Sequence, residues 1–312
     1  MEYIHGTTKF HRDRPTAINL GKFDGFHRGH QKLIRYGVEN KDPEAESLVL
    51  TFSTSPQSYL TGRPGESLAT RRERLRMARD LGVDVLIELP FTEQVRRMEA
   101  KAFLREILVH RLKAQMIVVG PDCRFGYQGK GTAALLYQMA KRYGYRLVDL
   151  QKEMYRGEAI SSSRIKECLH QGQIGEANAM LGYAYGVTGN VIHGKQIGRT
   201  IGVPTINQKA PAHQLMPRSG VYRAEIWVDG IRYDGMANVG RKPTIAGERP
   251  IGVETYLFDF RREIYGKPVR VNFLEFIRPE MRFDSLEALR SQIQADEVTV
   301  RQRIDEARGR SL

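Results

Sequence analysis

No run of about 18 apolar residues occurs in this 312-residue chain, so no segment is expected to span a membrane. Met1-Glu2-Tyr3-Ile4-His5-Gly6 lacks a charged stretch leading into an apolar one, so a secretory signal is not expected there and a cytoplasmic setting is. Cysteine is scarce. Cys123 and Cys168 lie far apart, which argues against a disulfide framework and for reduced thiols. Internal repeats and low-complexity tracts are missing, and so is any long basic run, although the net charge is +13. The basic residues are scattered, as in Arg71-Arg72, Arg96-Arg97, Lys141-Arg142 and Arg261-Arg262. Such a scatter reads as solvated faces and suits an enzyme whose substrates carry phosphates; nucleic-acid binding is the rival reading that charge alone would favour. Hydrophobic content of 41% and charged content of 27% are ordinary for a globular protein, and the length allows one to three domains.

The first half alternates strand-like and helix-like segments. Strands are expected at Ala17–Leu20, Leu48–Phe52, Val83–Leu89, Met116–Gly120 and Tyr145–Leu150. Helical patterns lie between them: Gln31–Val38, a run opened by the capping box Thr70-Arg71-Arg72-Glu73, Lys101–Leu112 and Thr132–Tyr143. This alternation predicts a doubly wound parallel sheet, in which ligands bind beyond the carboxyl ends of the strands. The character changes after about residue 180. Gly186–Ile192, Val221–Val228, Ile231–Val239, Val253–Phe258 and Val269–Ile277 are short alternating strands separated by Gly, Pro and Asn turns, which predicts an antiparallel barrel. Asp284-Ser285-Leu286-Glu287 then opens a long helix capped at Asp284, with Leu286, Leu289, Ile293 and Val300 on its apolar stripe. We expect one domain over 1–181, including a helical bridge from about 151, and a second over 182–312.

The segment Gly21-Lys22-Phe23-Asp24-Gly25-Phe26-His27-Arg28-Gly29-His30 sits at a strand-to-helix turn. Glycines there leave backbone N–H groups open, and these, with the positive end of a helix dipole, suit a phosphate chain. His27 and His30 lie three apart and share a face at the helix start. A plain, partly exposed helix start is the bland reading of the pair; half of a metal site is another, with no Cys or carboxylate cluster nearby to complete it. Asp24 either caps the turn or orients His27.

This stretch resembles the HxGH signature of the nucleotidyltransferase superfamily, in the form found in its FAD synthetase branch, and the chain is similar to the bacterial bifunctional riboflavin kinase/FAD synthetase family. The resemblance implies a nucleotidyltransferase-like Rossmann domain. His27 and His30 then take catalytic roles, and Gly21, Phe23, Asp24, Gly25 and Gly29 hold ATP. Ile160-Ser161-Ser162-Ser163-Arg164-Ile165 resembles the serine signature that closes over the triphosphate, which gives Ser162, Ser163 and Arg164 a phosphate role. Gly120–Gly126 resembles a segment lining the nucleotide and flavin pocket, through Asp122, Arg124 and Phe125, with Cys123 in place of the usual aromatic. Thr51-Phe52-Ser53-Thr54-Ser55-Pro56-Gln57 departs from the family: Thr54 and Ser55 stand where Pro and His are common. That departure leaves open a kinase with an impaired adenylyltransferase half.

In the second half, Gly194-Lys195-Gln196-Ile197-Gly198-Arg199-Thr200-Ile201-Gly202-Val203-Pro204-Thr205-Ile206-Asn207 is a glycine-rich arch. Thr205 and Asn207 are two apart on an extended segment, so they face the same side, and their oxygens are hard ligands suited to Mg²⁺. The string resembles the long riboflavin kinase motif, which assigns Gly194, Lys195, Gly198, Arg199 and Gly202 to ATP. Glu254, among apolar strand neighbours, is placed as a carboxylate that can accept a proton from a primary hydroxyl. Tyr256 replaces the family's usual His. Asn238 and Arg241, in Ala237–Thr244, match a turn near the substrates. The resemblance implies ATP, riboflavin, FMN and FAD as substrates and products, Mg²⁺ as cofactor, and a monomer or weak oligomer.

Overall fold

The computed structural model describes residues 1–53, 59, 65–194, 197–200, 202–241 and 251–309, without the side chains of Ile197, Arg199 and Arg241. It divides into two compact units, Met1–Ser162 and Ser163–Leu312. The boundary thus falls inside the bridge expected over 151–181, at the start of its first helix, and not after it.

In the first unit β1 (Glu2–His5), β2 (Thr16–Leu20), β3 (Glu46–Phe52), β4 (Val85–Leu89), β5 (Ala114–Val119) and β6 (Arg146–Asp149) form one sheet in the order β1-β4-β3-β2-β5-β6. Every pairing in it is parallel. The helices are α1 (Arg28–Glu39), α2 (Arg71–Asp80), α3 (Glu93–Arg97), α4 (Ala100–Ala102), continued by wider π-type turns over Phe103–Arg111, and α5 (Ala133–Tyr143). A small hairpin, β7 (Met154–Tyr155) and β8 (Glu158–Ala159), follows. Both faces of the sheet are covered, which is why its strands read as continuous apolar runs. On one face Ile18, Leu50, Ile87 and Ile117 pack with Phe103, Leu108 and Leu136. On the other, Ala17, Met116 and Val118 meet Leu33 and Tyr36 of α1. The chain winds from β2 through β3 to β4 on one side and adds β5 and β6 on the other, so the order reverses between β2 and β5. A crevice opens at the carboxyl ends of strands that part in this way. β1 was not expected; four residues with Glu and His at the ends carry too little periodicity to announce an edge strand.

In the second unit α6 (Ser162–Gln171, shared at its first residue) and α7 (Ile174–Leu181) precede the barrel. They belong with it because Asn178 Nδ2 donates to Phe273 O at 2.9 Å, Asn178 Oδ1 accepts from Tyr185 N at 2.7 Å, and Arg218 N donates to Leu169 O at 2.9 Å. The strands are β9 (Gly186–Asn190), β10 (Ile206–Lys209), β11 (Gly220–Val228), β12 (Ile231–Arg241), β13 (Ile251–Leu257) and β14 (Pro268–Arg278), with the short helix α8 (Ile197–Thr200) between β9 and β10. They pair antiparallel in the order β10-β13-β12-β11-β14-β9. Asp229 and Gly230, both at positive φ, make the tight turn between β11 and β12 that a right-twisted hairpin favours. Closure comes from polar groups: Ile192 bridges Asn207, and Gln208 Nε2 donates to Gly189 O (2.7 Å) and Val269 O (2.9 Å). This use of the buried Gln208 side chain explains why β10 does not read as a strand in the sequence.

The long helix α9 (Leu286–Gly309) lies against the barrel with Val300 and Ile304 on Val221, Met236 and Phe258. Its start differs from the expectation. Ser285, not Asp284, supplies the cap, its Oγ accepting from Ala288 N at 3.1 Å, and Leu286 is exposed. Buried Asp296 fixes the helix through Arg278, with Nε–Oδ1 at 2.9 Å and Nη2–Oδ2 at 2.6 Å. Gly126 shows how tightly the first unit is built around a loop. Its φ is +69, and an added Cβ would fall 2.5 Å from Ala100 Cα. Gly126→Ala is therefore expected to lower stability by about 2–4 kcal/mol, from left-handed strain plus backbone overlap, read as a shifted midpoint in urea unfolding.

Candidate active site

The first cluster forms where β2 ends. Gly25, at φ +76, turns the chain toward α1, and a Cβ there would lie 2.7 Å from that of Leu68. Phe26 follows at φ 44. Buried Asp24 braces the turn: its Oδ1 accepts the Leu68 N–H at 2.8 Å, and its carbonyl accepts the Ser162 hydroxyl at 3.1 Å. Of the two roles open in the sequence, this bracing is visible, and the Asp24 charge also raises the proton affinity of His27.

His27 is the N-cap of α1, with extended backbone (φ −61, ψ 169), and its Nδ1 accepts from His30 N at 3.4 Å. A neutral imidazole that accepts at Nδ1 carries its proton on Nε2, where it can donate outward. The His27 and His30 rings stack at 3.6 Å between centroids, 18° apart, and Phe23 meets His30 edge-on at 5.2 Å. Phe23, 1% exposed, thus supports the pair from within the protein. Gly29 leaves room for the stack, since a Cβ there would come 3.3 Å from the His27 ring; Gly21 makes similar room for the Phe23 ring, at 3.2 Å. Burial pushes His27 down to about 4, against the pull of Asp24, and burial together with the neighbouring His27 holds His30 well below the usual imidazole range. His30 Nδ1 is enclosed and has no hydrogen-bond partner. The first turn of α1 contains no acidic residue. The site therefore offers neutral N–H donors and the positive end of a helix to an anion.

The loop after β5 begins at the same carboxyl end of the sheet. Asp122 is exposed and ion-paired with Lys152. Arg124 is exposed, with Nη1 donating to the Cys123 carbonyl at 2.9 Å. Phe125 does something other than line a pocket: it is 2% exposed and packs on Phe103 at 5.7 Å, so it anchors the loop in the core. Burial pushes the Cys123 thiol up to about 12, which leaves it unreactive. Ser162 is tied to the turn through Asp24, and Ser163 and Arg164 continue the first turn of α6. Thr54 to Gln57 lie outside the described residues.

The second cluster sits on one face of the barrel. Asn207, Glu254 and Asn238 are directly opposed on β10, β13 and β12, which puts all three side chains in a row on the same side. Thr205 Oγ1 donates to Glu254 Oε1 at 2.8 Å. Gly194 and Gly198 are spaces the arch requires: a Cβ would fall 2.5 Å from Asn207 Nδ2 at the first and 2.2 Å from Val203 O at the second. Gly202 turns at φ +79. Beside Thr205 lies a cavity of about 350 Å³ walled by Val191, Pro204, Ile206, Phe260, Ile264 and Tyr265. Lys195 and the turn Lys242–Thr244 lie outside the described residues. Tyr256 points toward α9: the Tyr256 hydroxyl is raised above its ordinary value by burial and by Glu297 of that helix, and its ring packs on Phe258 at 5.4 Å. Among the described residues no group of three or more His, Cys, Asp or Glu side chains could hold a metal.

A parallel sheet with two stacked imidazoles and a helix start at its switch point, and a nearly closed barrel bearing a carboxylate beside a glycine arch, fit a two-domain, nucleotide-using transferase. Comparison with known proteins agrees. Residues 9–164 match the family model for FAD synthetase, and residues 181–304 match that for riboflavin kinase. The bifunctional riboflavin kinase/FMN adenylyltransferase of Listeria monocytogenes is 34% identical over 96% of both chains, and that of Escherichia coli K12 is 33% identical over 92% of both. A crystal structure of Streptococcus pneumoniae origin, described as a macrolide-efflux protein, is 31% identical and superposes with a TM-score of 0.83 over 96% of this chain and 99% of that one. Among the described residues here, no helix is long and apolar enough to cross a membrane. The chain belongs to the bifunctional riboflavin kinase/FMN adenylyltransferase family.

Sequence reasoning missed the charged contacts around the crevice: Lys152 with Asp122, and Glu153 with Arg28 (2.7 Å) and Lys32 (3.6 Å). The partners lie far apart in sequence, and no local pattern announces them.

Because His27 stays neutral when folded and takes a proton when unfolded, the unfolded state binds more protons between about pH 6.5 and pH 4, and stability rises with pH across that window. Lowering the pH from 6.5 should destabilise the protein by up to about 1.4 kcal/mol per pH unit for this group. His27→Asn keeps a capping acceptor and removes the titration, so urea midpoints measured at pH 7.5, 6 and 4.5 should fall less steeply in that variant.

Proposed function

We propose a division of labour in which the first unit makes FAD and the second makes FMN. The chain phosphorylates riboflavin with ATP and adenylylates FMN with a second ATP. What carries this reading is the pairing, in one polypeptide, of the stacked His27–His30 helix start with the Thr205–Glu254 contact on an independent unit.

In the first reaction a primary hydroxyl of riboflavin attacks the γ-phosphorus of ATP, the bond from that phosphorus to the bridging oxygen breaks, and ADP leaves. Glu254 orients the hydroxyl and accepts its proton; Thr205, held against Glu254, fixes the carboxylate. The hydroxyl of Thr205 and the amide oxygen of Asn207 are hard donors beside a carboxylate, a set that fits Mg²⁺, and these two residues would hold it; bound there, the ion supplies neutralisation of phosphate charge. Gly194, Gly198 and Gly202, with Lys195 and Arg199, bring backbone N–H groups and cations to the phosphates. The cavity beside Thr205 is roomy enough for a purine base. Asn238, opposite Glu254 in the same row, and Arg241 are assigned to the flavin.

In the second reaction a phosphate oxygen of FMN attacks the α-phosphorus of ATP, and pyrophosphate departs with the electron pair of the broken bond. No covalent enzyme intermediate is needed, so positioning and electrostatics supply the rate. His27 and His30, neutral and buried, donate to phosphate oxygens without presenting a fixed cation. Ser162, Ser163 and Arg164 close over the phosphates, and Asp122 and Arg124 border the flavin nucleotide. The enzyme acts in the cytoplasm as a monomer or weak oligomer, with small-molecule substrates and no nucleic acid.

Glu254→Ala should reduce FMN formation by about 10²–10⁴-fold while leaving FAD formation from supplied FMN near normal. His30→Ala should do the reverse. Chromatography of products with riboflavin or FMN as starting material checks both; a folded variant that loses both activities would contradict the division.

A further inference from the structure

Beyond the two signature motifs, the segment Gln151–Glu153 lies against the start of α1, where Gly29 carries no side chain and a Cβ would be 3.7 Å from that of Glu153. Two cations one helical turn apart, Arg28 and Lys32, both reach this segment. Arg28 Nη2 lies 2.7 Å from Glu153 Oε1, and Lys32 Nζ lies 3.6 Å from Glu153 Oε2 and 3.3 Å from the Gln151 carbonyl. Like charges at this spacing repel when left alone. Lys152, beside it in the chain, pairs with Asp122 of the loop after β5. The same stretch is pinned by Ile160 N donating to Glu153 O at 2.9 Å, and two residues later Ser162 bonds back to the Asp24 carbonyl. A ring of contacts therefore joins the histidine turn, Glu153 and the serine segment, all within the first unit.

We propose that Glu153 is a positioning residue for adenylyl transfer: it holds the Arg28 and Lys32 side chains together over the open N-terminus of α1, aimed at the pyrophosphate portion of ATP. The carboxylate offsets the repulsion between the two cations and engages one guanidinium nitrogen, leaving further N–H donors of Arg28 and the ammonium of Lys32 for phosphate oxygens. The trio keeps a net charge of +1, so an arriving polyanion is still attracted. Glu153 itself touches no reacting atom. It is partly exposed at 27% and belongs to no hydrophobic cluster, so its loss should leave the fold intact.

This inference rests on the adenylyltransferase reading of the first unit, and direct binding separates the two. Calorimetric titration of the full-length protein with inorganic pyrophosphate should give roughly five-fold weaker binding in Glu153→Gln, at unchanged thermal midpoint. In FAD formation the same variant should raise KM for ATP by a similar factor while changing kcat little, and riboflavin phosphorylation should be unaffected. Glu153→Asp should recover part of the loss, and adding Arg28→Ala to Glu153→Gln should cost less than the two single losses combined. Unchanged or tighter pyrophosphate binding in Glu153→Gln, or no pyrophosphate binding by the unaltered protein, would overturn the proposal. If pyrophosphate binds and weakens as expected while FMN and ATP give no FAD, it is the adenylyltransferase reading that fails and the positioning role that stands.

Discussion

The hydrogen bond from the His30 amide to His27 Nδ1 is the contact on which the first site depends. It caps α1, places the His27 proton on the outward nitrogen and brings the two rings into stacking distance. Everything around it serves that arrangement. Phe23 supports His30, Gly25 and Phe26 take left-handed backbone angles to make the turn, and Asp24 spends its oxygens on Leu68 and Ser162 to hold it. The cost is two imidazoles kept neutral by burial. The chemical return is a pair of donors that need no desolvated charge.

The barrel solves a related problem by other means. It has no long helix start at its site, so it uses strand register. Three opposed residues, Asn207, Glu254 and Asn238, form a polar row on one face of the sheet, while Val253, Thr255 and Leu257 are buried on the other. Thr205 fixes the carboxylate from the side, and the glycines of the arch let the backbone approach where any side chain would collide. In both units the candidate groups stand beside a sheet and are set by hydrogen bonds, His27 by the His30 amide and Glu254 by the Thr205 hydroxyl.

Much of this was legible in the sequence, because the chemistry-bearing residues come in local strings. The turn from Gly21 to His30 and the arch from Gly194 to Asn207 each hold several functional groups within fourteen residues or fewer, so spacing alone brings them together. The parallel sheet and the barrel followed from apolar periodicity. What stayed hidden was non-local or polar. β1 is a four-residue edge, β10 uses the buried Gln208 amide to close the barrel, and the helical bridge joins the second unit through Asn178, one of whose partners, Phe273, lies far along the chain. Phe125 read as a pocket residue because its string resembles one, yet burial against Phe103 gives it an anchoring role. The contacts of Glu153 with Arg28 and Lys32 span more than a hundred residues, and no local pattern encodes them.

The central claim is that one chain carries two independent ATP-using sites acting in succession on the flavin. It is tested most directly by incubating the purified protein with riboflavin, ATP and Mg²⁺ and following products by chromatography over time. The account predicts that FMN appears first and is then converted to FAD, with pyrophosphate released in step with FAD. A time course that stops at FMN, or shows neither product from a folded sample, would contradict it.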